Sequence, residues 1–122
     1  MREIKFRGKT GTGNWVYGDL TFSRYGNPYI GSLSKKWSGV KRNTVGQYTG
    51  MNDSNGKEIY EGDIVFDADE SGIVEWDESK HMFIINHESG WCNPMCEYYS
   101  DDLGVYGNSW DNPELLGGVA SD

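Results

Sequence analysis

The chain has 122 residues, a net charge of -8 and a hydrophobic fraction of 36%, so its core must be small. No stretch approaches the roughly 18 apolar residues of a membrane span, and the first residues lack the apolar segment of a signal peptide. Two cysteines are too few for a disulfide framework. We therefore expect a soluble, cytoplasmic protein without a membrane partner. Seventeen glycines against three prolines favour short strands and tight turns over long helices.

The first half of the chain begins with a predicted hairpin. Residues 4–8 alternate apolar and polar side chains, residues 9–14 are typical of a turn, and residues 15–22 read as a second strand. A short strand follows at Tyr29 and Ile30, then an exposed basic loop over 34–43. A further strand is expected over 44–49.

The second half contains a predicted meander over residues 62–86. Its strands are 64–67, 73–76 and 82–85, with turns at 61–63, 69–72 and 77–80. A last strand is expected over 104–108, a brief helical turn over 112–116 and a frayed tail over 117–122. The pattern predicts an all-β protein.

Charge divides the chain into two segments. Residues 1–50 form a basic, β-rich segment with nine Lys and Arg against two Asp and Glu, a net of +7. Residues 51–122 have two bases against seventeen acids, a net of -15. The basic half suits phosphate or an acidic partner, but the interpretation we favour is that the halves neutralise each other, within one fold or between subunits.

Three blocks of sequence resemble the YopX family. The blocks are residues 2–8 (REIKFRG) with 15–18 (WVYG), residues 44–50 (TVGQYTG) running through 55–65 (NGKEIYEGDIV), and residues 105–108 (VYGN) with 112–116 (NPELL). The resemblance implies a phage or prophage protein of Gram-positive bacteria, without established activity, that assembles as a homo-oligomer in the host cytoplasm. It also implies one compact domain: an SH3-like barrel over 51–122, with the N-terminal hairpin as an extension. Residues 87–103 match no motif of the family.

Two sets of residues are candidates for binding. Basic residues that hold phosphates, with aromatic residues that stack on bases, make the first set a nucleic-acid candidate: Arg2, Lys5, Arg7, Lys35, Lys36, Lys41 and Arg42, with Trp15, Tyr25 and Trp37. The second set surrounds a turn and could form a polar patch: Tyr48, Thr49, Asp53, Asn55, Glu58 and Tyr60. These residue types are also the ordinary chemistry of turns, and we favour that structural interpretation of the second set.

Metal and catalytic signals are weak. His81, His87, Cys92 and Cys96 do not have the spacing of a recognised zinc finger, and the turn at Asp53 lacks the full EF-hand loop. There is no P-loop and no nucleophile elbow. We therefore expect no cofactor, no bound metal and no enzymatic activity.

The leading prediction is an accessory or host-interaction protein of phage origin that acts by binding a host or phage protein. Trp76, Trp91 and Trp110 exceed what a small core can hide, so an interface is expected to cover some of them. One alternative is nucleic-acid or nucleotide binding by the basic half. Another is an inhibitor whose acidic half mimics DNA and blocks a host protein.

Overall fold

The computed structural model describes residues 3–67 and 70–115, and the regular structure there is almost entirely β-strand. The strands are β1 (Phe6–Lys9), β2 (Trp15–Phe22), β3 (Pro28–Gly31), β4 (Ser38–Gly39), β5 (Gly46–Asn52), β6 (Glu58–Tyr60), β7 (Asp63–Asp67), β8 (Glu70–Asp77), β9 (Met82–His87), β10 (Cys92–Pro94) and β11 (Gly104–Asn108). Short 3₁₀ turns lie at Arg42–Thr44, Met95–Glu97 and Ser100–Asp102. The all-β prediction is confirmed. Within the described ranges, no helix has the length and apolar character needed to cross a membrane.

The strands form two antiparallel sheets. Their orders are β4-β3-β2-β1-β5-β6 and β10-β9-β8-β7-β11. In the described part of the chain neither sheet is closed into a barrel, because β10 and β11 lie at opposite edges of the second sheet. The chain between these two strands forms 3₁₀ turns and contributes no strand that joins the edges. The expected closure into a barrel is therefore not observed, although the strands predicted for the second half of the chain are present.

The chain divides into two compact units, Met1–Gly50 (unit 1) and Met51–Asp122 (unit 2). In unit 1, β1 pairs with β2 from Phe6↔Gly18 to Lys9↔Trp15, which confirms the predicted hairpin. Strand β3 pairs with β2, β4 pairs with β3, and β5 pairs with the other side of β1.

Unit 1 packs tightly at Gly8. A Cβ at Gly8 would lie 2.9 Å from Val40 Cβ and 3.1 Å from Ile30 Cδ1, so only a glycine fits between these side chains. Ile30 is fully buried. This packing determines which face of the β1–β2 hairpin is apolar, because side chains alternate along a strand.

Unit 2 is built on the predicted meander. Strands β7, β8 and β9 pair in sequence, and β11 adds to the free side of β7. Burial alternates along β9 and along the middle of β8, from Ser71 to Glu75, as expected for strands with one buried face. The core of the unit consists of Ile59, Val65, Val74, Phe83, Ile85, Met95 and Leu103.

Several local predictions were wrong or incomplete. Residues 70–72 were expected in a turn but belong to β8, because Glu70 pairs with Asp67 and Gly72 pairs with Val65. Thr44 lies in a 3₁₀ turn, and the strand expected from it begins at Gly46. The loop 34–43 contains the short strand β4. Residues 113–115 form the expected helical turn, whereas Arg2, Leu116 and the tail 117–122 lie outside the described residues.

The packing of Gly62 against Trp110 gives a stability prediction. Gly62 has φ +93, and a Cβ there would lie 2.2 Å from the Trp110 ring. Gly56 has a similar φ of +83, but a Cβ would meet nothing within 4 Å. Gly56→Ala should cost only the backbone strain, about 1–2 kcal/mol, and Gly62→Ala should cost clearly more. Urea unfolding measures both; equal losses would contradict this packing.

Candidate functional site

Cationic and aromatic side chains share one face of the β1–β2 hairpin. Arg7 lies opposite Tyr17 and Lys9 lies opposite Trp15, and paired residues of antiparallel strands point to the same side. The Arg7 guanidinium carbon is 4.5 Å from the centroid of the Trp15 ring, and Lys9 Nζ is 5.6 Å from it. Both distances are those of cation–π contacts. We name these four residues the basic–aromatic face.

A further cation extends this pattern toward β5. Lys5 Nζ lies 5.7 Å from the centroid of the Tyr48 ring and 3.4 Å from the Glu3 carboxylate. The Tyr48 backbone N–H donates to the Lys5 carbonyl at 2.8 Å, which aligns the two residues. Tyr48 is buried. It therefore supports Lys5 from below and does not itself offer a ring to a ligand.

Two grooves of about 260 Å³ each open in unit 1. The first groove is lined by Trp15, Val16, Tyr17, Ile30, Gly31, Lys35 and Lys36. The second groove is lined by Glu3, Ile4, Lys5, Tyr17, Gly18, Asp19, Ser32 and Lys35. The charged side chains of the first groove are both lysines, whereas those of the second groove have both signs.

A tight turn holds the two lysines of the first groove. The Lys35 backbone N–H donates to Ser32 Oγ at 3.0 Å, and the Ser32 N–H donates to the Lys35 carbonyl at 3.3 Å. A Cβ at Gly31 would lie 2.8 Å from the Lys36 carbonyl oxygen, so the chain returns closely over this glycine. The close return holds Lys35 and Lys36 beside Trp15 and Tyr17. No acidic partner pairs with either ammonium among the residues that the structure describes.

The rest of the predicted basic set lies outside the grooves. Lys41 is exposed, and the Arg42 guanidinium donates to the Gly26 carbonyl, which gives it a structural contact. Trp37 is half-exposed, and the Tyr25 ring is covered on one side by Arg24 at 5.7 Å. Of the residues predicted from the sequence, Trp15, Lys35 and Lys36 line the first groove and Arg7 contacts Trp15. The sequence analysis did not name Tyr17 or Asp19, which also line the grooves.

The turn around Asp53 has contacts that favour the structural interpretation. Asp53 is buried; its Oδ1 accepts the N–H groups of Asn55 and Lys57 at 2.8 and 2.9 Å, and its Oδ2 accepts that of Val105 at 2.9 Å. Burial opposes ionisation, but the hydrogen bonds from Val105, Lys57 and Asn55 outweigh it and lower the pKa of Asp53.

The neighbouring members of this set are engaged as well. Tyr60 is buried, and its hydroxyl donates to Glu58 Oε1 at 2.9 Å. Thr49 is buried, and the Asn55 side chain is exposed. The turn therefore has the contacts of a fixed corner of the fold.

The four residues considered for zinc do not converge. His81 is exposed with φ 54, His87 is buried in β9, and Cys92 and Cys96 are both exposed. In the described ranges, no group of three or more His, Cys, Asp or Glu side chains is arranged to hold a metal ion.

A polar network around the buried His87 in unit 2 was not predicted from the sequence. The Tyr98 hydroxyl donates to Asp67 Oδ2 at 2.9 Å, accepts from Asn93 Nδ2 at 3.0 Å and lies 3.1 Å from His87 Nε2. His87 Nε2 is 3.3 Å from Asp67 Oδ2, and its Nδ1 is 3.9 Å from Glu70 Oε1. Burial, opposed by the Asn93 hydrogen bond and assisted by Asp67, raises the pKa of Tyr98. The sequence feature that could have drawn attention to this network is the lack of family motifs in residues 87–103, which contain His87, Asn93 and Tyr98.

The fold and the grooves define a two-sheet, all-β protein with a basic–aromatic surface on unit 1. The model of the YopX protein family matches residues 5–117, nearly the whole chain. The chain therefore belongs to the YopX family, as the three sequence blocks predicted. A comparison with curated proteins gives no match.

The contacts of Asp53 predict a pH-dependent stability. Because its pKa is held below the usual 3.8, the carboxylate stabilises the fold above that pH, and this contribution is lost as the pH falls below it. Asp53→Asn retains one acceptor oxygen and loses the bond to Val105, so it should cost about 1–3 kcal/mol at pH 7. The difference from wild type should shrink in urea unfolding at pH 3. Asp101→Asn, at an exposed acid, is the control; a pH-independent difference for Asp53→Asn contradicts the assignment.

Proposed function

We propose that this chain is a non-catalytic binding protein of phage origin, and that unit 1 binds a phosphate-bearing ligand with a planar ring. Nucleotides and single-stranded nucleic acid are the ligands of this class. The observation that carries the proposal is the first groove, which two aromatic residues, Trp15 and Tyr17, line together with Lys35 and Lys36. Aromatic rings stack on bases of any sequence, and lysines hold phosphates.

Preorganisation of the groove supports binding. Arg7 and Lys9 contact the Trp15 ring, and a tight turn at Ser32 holds Lys35. A ring and a cation that are already in place lose little entropy when the ligand arrives. The charge of residues 51–122 opposes a polyanion at long range, so local contacts in unit 1 must supply the affinity.

The contacts of the titratable side chains in unit 2 support a binding protein without catalytic activity. The His87, Asp67 and Tyr98 side chains are hydrogen-bonded to one another inside unit 2, which supports a structural role for them. We also propose that the protein is located in the cytoplasm of the host cell. We further propose that the five-stranded sheet of unit 2 is related to the SH3-like fold, because its meander is followed by 3₁₀ turns and a last strand.

A second candidate function uses unit 2 and a basic protein partner. Residues 51–122 have a net charge of -15 from two bases and seventeen acids. Trp91 is 72% exposed and Tyr99 is 80% exposed, and exposed aromatic residues are favoured contacts at protein interfaces. An inhibitor that mimics nucleic acid, or a homo-oligomer, would use such a surface. Because Lys36 lies in unit 1, Lys36→Glu should not change the binding of a basic protein partner by unit 2.

Charge reversal in the first groove tests the leading proposal. Lys36→Glu should weaken binding of a fluorescein-labelled 12-nucleotide single strand by about tenfold or more at low salt, because it replaces a phosphate contact with repulsion. Lys41→Glu makes the same change of charge outside the grooves and should have a clearly smaller effect. Fluorescence anisotropy measures both. Equal effects of the two variants, or no binding by wild type, would contradict the proposal.

A further inference from the structure

The two grooves of unit 1 lie next to each other, because they share two lining residues. Tyr17 and Lys35 line both of them. Tyr17 is 46% exposed, and its ring is therefore accessible. The shared residues place the grooves side by side along strand β2.

Two glycines lie beneath the junction of the grooves. Gly31 lines the first groove and Gly18 lines the second. A Cβ at Gly18 would lie 2.5 Å from the Gly31 carbonyl oxygen, so the two backbones are in direct contact. Neither residue has a side chain that would divide the space. At this point the floor between the two grooves consists of backbone alone, and the side chains at their boundary are those of Tyr17 and Lys35.

The two grooves differ in the charges of the side chains that line them. The first groove is lined by Lys35 and Lys36, whereas the second adds Asp19 and the Glu3–Lys5 ion pair to the shared Lys35. A phosphate is attracted to the lysines and repelled by the carboxylates. Lys35, at the junction, is thus the place for a phosphate that links two nucleotides.

Asp19 gives the second groove a chemical preference. An ionised carboxylate only accepts hydrogen bonds, so it matches the exocyclic amino groups of bases and not the carbonyl edge of thymine or uracil. Asp19 is exposed and its backbone is fixed by the pairing with Gly31. Its carboxylate is therefore available to a ligand at the wall of the groove.

We propose that unit 1 binds single-stranded nucleic acid across both grooves. One base stacks against Trp15 and Tyr17 in the first groove, the linking phosphate lies at Lys35, and the next base presents an amino group to Asp19. This inference depends on the proposed function, because it assigns the ligand of the same site. It adds a minimum length of two nucleotides and a preference for amino-bearing bases at one position.

Length and base dependence test the inference with the full chain. Cytidine monophosphate, hexamers of dC and hexamers of dT are compared by calorimetry at low salt. The dC hexamer should bind at least about tenfold more tightly than the mononucleotide and about fivefold or more tightly than the dT hexamer. Asp19→Asn, at an exposed position, should bring the dC-to-dT ratio close to one, while the loss of a negative charge strengthens the binding of both hexamers.

The outcomes separate the two proposals. If no ligand binds, the proposed function fails and the inference fails with it. If the mononucleotide binds as tightly as the dC hexamer, the proposed function stands and the strand model is overturned. Equal affinity for the dC and dT hexamers, or an unchanged ratio in Asp19→Asn, overturns the assignment of Asp19.

Discussion

The stacking of Arg7 on Trp15 is the contact on which the surface of unit 1 depends. Arg7 is only 4% exposed, and a charge at that depth is stabilised by groups that stay close to it. The Trp15 ring provides one such group at 4.5 Å. Arg7 and Trp15 belong to paired strands, and Tyr17, which lies opposite Arg7, lines the same groove as the lysines of the turn. The grooves follow from that arrangement.

Unit 2 is stabilised by a different combination of forces. Aliphatic side chains alternate into its core, and the buried Asp53 carboxylate and His87 Nε2 have hydrogen-bond partners within the unit. Asp53 connects the β5–β6 turn to Val105 on β11, and Tyr98 connects β7 to β9 through Asp67 and His87. These contacts explain how Asp53 and His87 can lie buried in an acidic half of the chain. They also account for several residues that resembled a binding patch in the sequence.

Local patterns in the sequence predicted the elements that depend on alternation and on turn residues. The β1–β2 hairpin, the meander and the last strand were predicted for this reason, and the YopX motifs identified the family. Contacts between distant positions were not predictable in this way. The approach of Gly18 to Gly31 creates the junction of the grooves, and the meeting of His87 with Tyr98 creates the buried network. Both depend on strand pairing and on chain reversals that periodicity does not encode.

Chemical-shift mapping of the ¹⁵N-labelled chain during titration with the dC hexamer tests the central claim most directly. Binding by unit 1 predicts that the largest changes occur at the Trp15 indole and the backbone amides of Tyr17, Asp19, Gly31 and Lys35. Saturable changes at these positions would locate the ligand in the two grooves. Changes confined to residues 51–115, or no saturable changes, would contradict the assignment of nucleic-acid binding to unit 1.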